Sequence, residues 1–247
     1  MKNKNIIFGI RPIIEAVQAG KEVEKVLVKQ GLQGELYAEL RDVLRKASVP
    51  VHAVPEVKLD SYTNTGKMHQ GVIGFVSEVH FTKLSTLVQQ VFESGETPLI
   101  LVLDRITDVR NFGAIARTAE CAGVHGIVVP TRGGALIGGD AMKTSAGALM
   151  NIPVCREPVL ENTITFLKDC GLQTIACTEK GTVNHSKPDL KLPTAIVMGS
   201  EEDGITPTVI RLCDIQAAIP MLGSTGSLNV SVAAGVMIYE AIRQRGL

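Results

Sequence analysis

Five short, unbroken apolar runs in the second half of the chain constrain the fold more than any other feature: LILVL (99–103), GIVVP (126–130), TIAC (174–177), AIVM (195–198) and IQAAI (215–219). A strand with one face in water alternates apolar and polar residues, whereas a strand covered on both faces has no polar side to show. These runs are of the second kind. Helical patterns near 111–122, 160–170, 206–212 and 229–245 separate them. Residues 98–247 are therefore expected to form an α/β domain with a largely parallel sheet. Aromatic residues make up only 4% of the chain and Trp is absent, so its core must come from Val, Ile, Leu, Met and Ala.

Residues 1–79 read differently. Strand-like runs at 25–29, 51–54 and 72–79 alternate with a helix over 35–47, where Leu36, Leu40, Val43, Leu44 and Ala47 share one face. Pro12 suits the first turn of an earlier helix that Gly20 can end. A second, smaller α/β unit is predicted here, which the length of 247 residues readily allows. Residues 80–97 are expected to be a linker carrying a polar helix (Leu84, Leu87, Val88, Val91), with SGETP (94–98) as a hinge.

Charge excludes one class of function. Lys plus Arg (25) equals Asp plus Glu (25), and residues 1–80 hold 11 basic against 9 acidic groups. No global positive field exists to coat nucleic acid, so an RNA partner would have to be held by local basic patches. The five cysteines (Cys121, Cys155, Cys170, Cys177, Cys213) form no CxxC pair, and the five histidines show no metal spacing. Buried reduced thiols in a cytoplasmic protein, without a metal site, are the expectation. The N-terminal apolar run is interrupted by Gly9, Arg11 and Pro12, unlike a signal peptide, and no run is long enough for a membrane span.

A nucleotide site would suit such a sheet, yet GxGxxG does not follow the first strand, GxxxxGK[ST] is absent, and no GxSxG marks a hydrolase elbow. Polar residues instead gather where buried strands hand over to turns, the position at which open α/β sheets bind ligands. In 101–123, Asn111 lies in the first turn of a helix and Arg117 lies six residues on. In IVMGSEEDGI (196–205), a buried strand ends in Gly, acids and Gly. In 219–245, a small-residue loop leads to a helix opening with Ser227 and Asn229. Each has a plain structural explanation: Asn111 as a helix cap beside a surface arginine, Asp203 capping the next helix, and Ser227 and Asn229 capping the last.

Together the three segments resemble, in order and wording, the motifs of the SpoU/TrmH family of RNA ribose 2′-O-methyltransferases. They are NxGxxxR (Asn111, Gly113, Arg117), GxExxG (Gly199, Glu201, Gly204) and SLNVSVAxGxxxYE (Ser227 to Glu240). The N-terminal part is similar to the family's RNA-binding extension, itself resembling ribosomal proteins, through FGIRPIIEAV (8–17) and HQGVIG (69–74). The resemblance is closest to bacterial members that methylate a guanosine ribose in the peptidyl-transferase region of large-subunit ribosomal RNA. Transfer RNA or antibiotic-resistance methyltransferases of the same family are the alternatives. A non-catalytic RNA-binding assembly factor is the alternative of another class.

The resemblance implies a parallel sheet of the SPOUT type with a deep trefoil knot, a homodimer, and S-adenosylmethionine as cofactor without metal. It implies Asn111, Arg117, Glu201, Ser227 and Asn229 as catalytic residues. It implies Thr178, Met198, Gly199, Ile219, Met221, Ser227 and Leu228 around the cofactor, with backbone contacts from Gly199, Ile219 and Leu228. Glycine at 199, 223 and 226 would suit close backbone approach to the ligand. Arg105 and Arg110 beside the first motif, and Arg132 and Lys143 in the glycine-rich stretch 131–148, are expected as RNA contacts, that stretch being either a mobile loop or an RNA-contacting lid. Lys2, Lys4, Arg11 and Lys67 are candidate phosphate contacts of the first unit. On the last helix Val232, Val236, Ile238 and Ile242 exceed what one packing face needs, as a dimer interface would require.

Overall fold

Residues 6–47, 49–63, 69–76, 79, 81–135 and 137–246 are described by the computed structural model. Lys2, Lys4 and Lys67 lie outside them. The chain divides into two units, Met1–His80 (with Ile137–Gly139) and the rest from Phe81.

The first unit runs β1 (Ile6–Phe8), α1 (Ile10–Gln18), β2 (Val23–Lys29), α2 (Glu35–Lys46), β3 (Val51–Val54), α3 (Glu56–Asp60) and β4 (Val72–Val76). Its sheet has the order β1-β4-β2-β3, with β4 antiparallel to both neighbours and β2 parallel to β3. Strand β2 shows how the sheet buries two faces. Val26 and Val28 join Ile13, Ile14, Leu40 and Leu44 on the side of α1 and α2, while Leu27 packs with Val54, Leu59 and Ile73 on the other. The two quoted N-terminal segments are neighbours, since Phe8 pairs with Ile73 and Gly9 N–H donates to the Val72 carbonyl. Gly9 sits at φ +92°, a turn that glycine enters without steric cost. His69 braces the entry to β4: its Nδ1 accepts from Gly71 N–H and its Nε2 lies 3.0 Å from Asp60 Oδ1.

The second unit runs α4 (Leu84–Glu93), β5 (Leu99–Leu103), α5 (Val109–Cys121), β6 (Gly126–Pro130), α6 (Gly139–Thr144), a 3-10 turn (Ala148–Met150), β7 (Val154–Glu157), α7 (Leu160–Asp169), β8 (Gln173–Cys177), β9 (Val183–Asn184), β10 (Thr194–Met198), α8 (Pro207–Leu212), β11 (Ile215–Ala218) and α9 (Val230–Arg245). Its seven strands are parallel, in the order β7-β6-β5-β10-β8-β11-β9. All five apolar runs are strands of this sheet, and β5 and β10 are buried along their whole length.

Two expectations change here. Helix α4 is not a linker: Leu84, Leu87, Val88 and Val91 lie in one core with Ile100, Val102, Val128 and Ile164. SGETP is thus a turn inside the second unit, and the boundary falls near residue 80. The stretch 131–148 is more than a surface loop, because α6 buries Ala141 and is followed by fully buried Ser145.

Helix α9 packs on α5 and buries Val230, Ala234, Met237, Ile238 and Ala241. Ile238 therefore belongs to this chain's own core, Val236 and Ile242 are half-buried, and Val232 and Tyr239 are exposed. The far end of α9 is tied down by Arg245, whose guanidinium donates to the carbonyls of Thr97, Pro98, Leu190 and Leu192 at 2.7 to 3.2 Å. Among the cysteines, Cys155 is buried as expected but Cys121 is exposed. Burial pushes the Cys155 and Cys213 thiols up to about 12. Among the described residues no helix is long and apolar enough to cross a membrane.

Candidate active site

Parallel strands put their C-terminal ends, with the loops that leave them, on one edge. The register levels three of those ends. Met198 pairs with both Leu103 and Cys177, and Ala217 pairs with Cys177. Beyond Cys177, Met198 and Ala218 opens a cavity of about 550 Å³, closed on the remaining side by the loop 226–229 and the first turn of α9. Thr178, Met198, Gly199, Ile219, Met221, Ser227 and Leu228 all line it, so the seven residues expected around a cofactor are brought together. Cys177, Glu179, Lys180 and Ala233 also line it and were not foreseen. They carry no motif of their own, and only knowledge of which strand ends are neighbours could have found them. The Cys177 thiol is pushed up to about 11, first by burial and then by Glu179, which leaves it a neutral wall group.

The second motif is a tight turn. Ser200 and Gly204 exchange backbone hydrogen bonds at 3.1 and 3.0 Å, and Asp203 N–H donates to Ser200 Oγ. Gly204 takes φ +67°. A Cβ at Gly199 would land on the backbone of Gly204 and Ile205. The need for glycine at 199 is therefore closure of this turn. Gly223 and Gly226 have open space around them and no positive φ, so neither the packing of the chain nor its backbone conformation requires glycine there.

The motifs meet at Asn229. Its Oδ1 caps α9 by accepting from Ser231 N–H at 2.9 Å. Its Nδ2 donates to Asn111 Oδ1 at 3.0 Å and to Glu201 Oε1, which also accepts from Val230 N–H. One side chain from each motif thus joins a single polar network at the cavity edge. Ser227 lines the cavity and caps nothing. The cap of α5 is Asp108, which accepts from the N–H groups of Arg110 and Asn111, leaving the Asn111 side chain free for Asn229. Gly113, the glycine of the first motif, lets Thr144 of α6 come against α5, since a Cβ there would collide with the threonine side chain.

Arg117 stands apart. It is exposed on α5, is not among the residues lining the cavity, and among the described residues its side chain makes no hydrogen bond or ion pair. Arg110 and Arg132 are likewise exposed with unpartnered side chains among the described residues, and Lys143 reaches only Asp140 at 3.9 Å. Arg105 differs from these. Its Nη1 donates to Asp203 Oδ2 at 3.1 Å and its Nη2 to the Gly204 carbonyl at 3.3 Å. Asp203 is accordingly not a helix cap. The N–H of Thr206, at the start of α8, donates instead to buried Asp104. Among the described residues no cluster of side chains could hold a metal ion.

A parallel sheet whose strand ends cradle a ligand-sized cavity, with three separated motifs converging on its edge, places the chain among α/β proteins that bind a ligand at the carboxyl ends of their strands. The comparisons with known proteins identify which. Residues 98–239 match the SpoU rRNA methylase family, and residues 6–82 match the RNA 2′-O ribose methyltransferase substrate-binding family. A Staphylococcus saprophyticus protein assigned to the TrmH family of tRNA/rRNA methyltransferases is 32% identical over 240 residues, covering 97% of this chain and 96% of its own. The SpoU methyltransferase AviRb of Streptomyces viridochromogenes, solved with AdoMet, superposes with a TM-score of 0.62 at 27% identity, over 97% of this chain and 90% of that one. An AdoMet-bound rRNA methyltransferase of Sinorhizobium meliloti gives a TM-score of 0.60 at 25% identity, over 97% and 87%. The chain belongs to the SpoU methylase family and is an RNA ribose 2′-O-methyltransferase.

Proposed function

We propose that the protein methylates the 2′-hydroxyl of a guanosine ribose in large-subunit ribosomal RNA, with S-adenosylmethionine as methyl donor. The observation that carries this reading is the Asn111–Asn229–Glu201 network at the edge of the 550 Å³ cavity. A ribosomal substrate is favoured because the Sinorhizobium rRNA methyltransferase matches 97% of this chain, first unit included. Transfer RNA stays as the second reading, since the Staphylococcus relative is assigned to both substrates.

The cavity fits the cofactor's chemistry. Met198, Ile219 and Leu228 offer apolar walls to a flat base, and the loop backbones offer N–H and carbonyl groups for its polar edge. Glu179, Glu201, Glu202 and Asp203 outnumber the cations Lys180 and Arg105 at that rim, which suits a ligand carrying a cationic sulfur and an ammonium. When bound, S-adenosylmethionine supplies an electrophilic methyl group. The residues of the chain supply orientation, which by itself removes much of the barrier to an in-line transfer. Asn111, Glu201, Ser227 and Asn229 hold the ribose and each other in register. An arginine keeps its proton in proteins, so Arg117 acts through charge: its planar fork binds the target phosphate and lowers the pKa of the attacking hydroxyl, whose proton passes to water.

In the same reading the first unit, Met1–His80, recognises folded RNA by shape with a few phosphate contacts such as Arg11. The segment from β10 to α9 threads a deep trefoil knot, and exposed Leu228, Val232 and Tyr239 belong to a homodimer interface. Mapping 2′-O-methyl groups in ribosomal and transfer RNA from cells with and without the gene tests the substrate. Loss of one site in large-subunit RNA is the expected result, and loss of a transfer RNA site alone would overturn it.

A further inference from the structure

Arg105 looks from the sequence like one more cation beside the first motif, available to RNA. The structure gives it a different task. Just past the end of β5, Asp104 N–H donates to the Met198 carbonyl at 2.8 Å. Asp104 is only 2% exposed, and its carboxylate accepts from Thr206 N–H through Oδ2 and from Arg105 Nε through Oδ1 at 3.4 Å. Arg105 itself adopts φ +56°, a left-handed conformation that side-chain-bearing residues seldom take. Its remaining two guanidinium nitrogens donate to Asp203 and to the Gly204 carbonyl.

The turn 199–206 is therefore held at three places by two consecutive residues: at Met198 by the Asp104 N–H, at Asp203 and Gly204 by Arg105, and at Thr206 by the Asp104 carboxylate. Between the fixed points lies Glu201, which reaches Asn229 and Val230 across the cavity edge. Because the backbone of Gly199 lies directly on that of Gly204, a shift of Gly204 displaces the cavity wall as well.

We propose that Asp104 and Arg105 form a latch that sets the 199–206 turn, and through it Glu201, in its cofactor-binding position. On this assignment, which rests on the methyltransferase reading above, Arg105 is a positioning residue and not a phosphate contact. Asp203 is 69% exposed and Arg105 37%, so their ion pair adds little to global stability. The latch orders a loop without holding up the fold.

The test uses the full-length protein with Arg105→Gln, Arg105→Lys, Asp203→Asn and the double variant Arg105→Gln/Asp203→Asn. All keep a Cβ at residue 105, so backbone strain is unchanged across the set. Calorimetry with S-adenosylhomocysteine should show about tenfold weaker binding in Arg105→Gln, with the double variant little worse, as for partners in one network. Arg105→Lys should recover part of the loss, and melting temperatures should stay near the wild-type value. In the ligand-free protein, amide exchange at Ser200 and Gly204 should quicken in Arg105→Gln. Wild-type cofactor affinity in Arg105→Gln, together with weaker RNA binding and a reduced salt slope, would overturn the latch and return Arg105 to the RNA surface. If the wild-type protein fails to bind S-adenosylhomocysteine, the methyltransferase reading fails by itself. The exchange rates still decide the latch, because unchanged rates at Ser200 and Gly204 would overturn it.

Discussion

The cavity edge and the exposed arginines of α5 and the loop after β6 are built on opposite plans. At the edge, Asn229 satisfies Asn111, Glu201 and its own helix N-terminus at once, and the turn 199–204 closes on itself. Polar groups that satisfy one another in this way are arranged before any ligand arrives. By contrast, Arg110 and Arg117 extend from α5, and Arg132 from the loop after β6, without a partner among the described residues. A free arginine carries a large rotamer entropy, and a polyanion that orders it must offset that cost. On the reading proposed above, the first region is a finished cofactor half and the second a substrate half that RNA would organise.

The sharpest way to break this comparison is Arg117→Lys. If Arg117 is organised only by substrate, the variant should keep its melting temperature and cofactor affinity while turnover falls about a hundredfold, because an ammonium lacks the planar fork. Single-turnover methylation of the natural RNA measures it, and near wild-type turnover would show that a point charge suffices. Gly199→Val attacks the other half. A Cβ there overlaps the Gly204 backbone, so the turn must open, and if binding has to restore it against about 1 to 3 kcal/mol of overpacking, cofactor affinity should fall roughly five- to a hundred-and-fifty-fold by calorimetry. Unchanged affinity would remove the turn from the binding site. A smaller effect is expected from replacing Arg110, Arg132 and Lys143 together by Gln. Each phosphate contact contributes about 0.7 to 0.9 to the slope of log affinity against log salt, so loss of three should flatten it by about 2 to 3 while leaving cofactor affinity intact. An unchanged slope would mean that RNA bypasses this surface.

The two halves were also unequally legible in the sequence. Short apolar runs bounded by turn residues mark strands covered on both faces, so β5, β6, β8 and β10 are legible directly, while β11 is legible as a strand although its Gln216 is exposed. Strands β7 and β9 are not, because VCRE and VN lie at the two margins of the sheet and carry too little apolar signal to stand out from loop. The polar helix expected within 80–97 is present, but it is core and not linker, because its four apolar residues suffice to fill a core that α7 also lines. Asn111, Glu201 and Asn229 lie up to 118 residues apart, and only their motif pattern joined them before the fold did. Arg105 shows the limit most plainly. Nothing in LVLDRI distinguishes an arginine that faces RNA from one turned back onto Asp203. The distinction comes from a left-handed φ and from a loop brought alongside by β10.

The finest test of the comparison concerns how firmly the finished half is anchored away from the cavity. Helix α9 begins at Asn229 and ends in a cluster where Glu240, the last residue of the third motif, accepts from Arg243 Nε and Nη2 and from Gln244 Nε2. The Glu240 side chain is only 10% exposed, and the Arg243 and Gln244 donors beside it hold its carboxyl down at about 2, against an ordinary value of 4.5. A carboxylate whose folded-state pKa is depressed contributes stability that is fully present above its unfolded value. That contribution is lost as pH falls from 4.5 towards 2. Melting temperatures measured from neutral pH down into this window should therefore decline more steeply for the wild type than for Glu240→Gln, which keeps the shape and has no proton to gain. The two curves should approach each other at the acid end. Cofactor affinity near neutral pH should be nearly the same in both, because Asn229 and Glu201 fix the near end of α9 independently. Parallel melting curves would show that the Glu240 cluster does not anchor the helix, and a large loss of cofactor affinity in Glu240→Gln would show that the cavity edge depends on the far end of α9 after all.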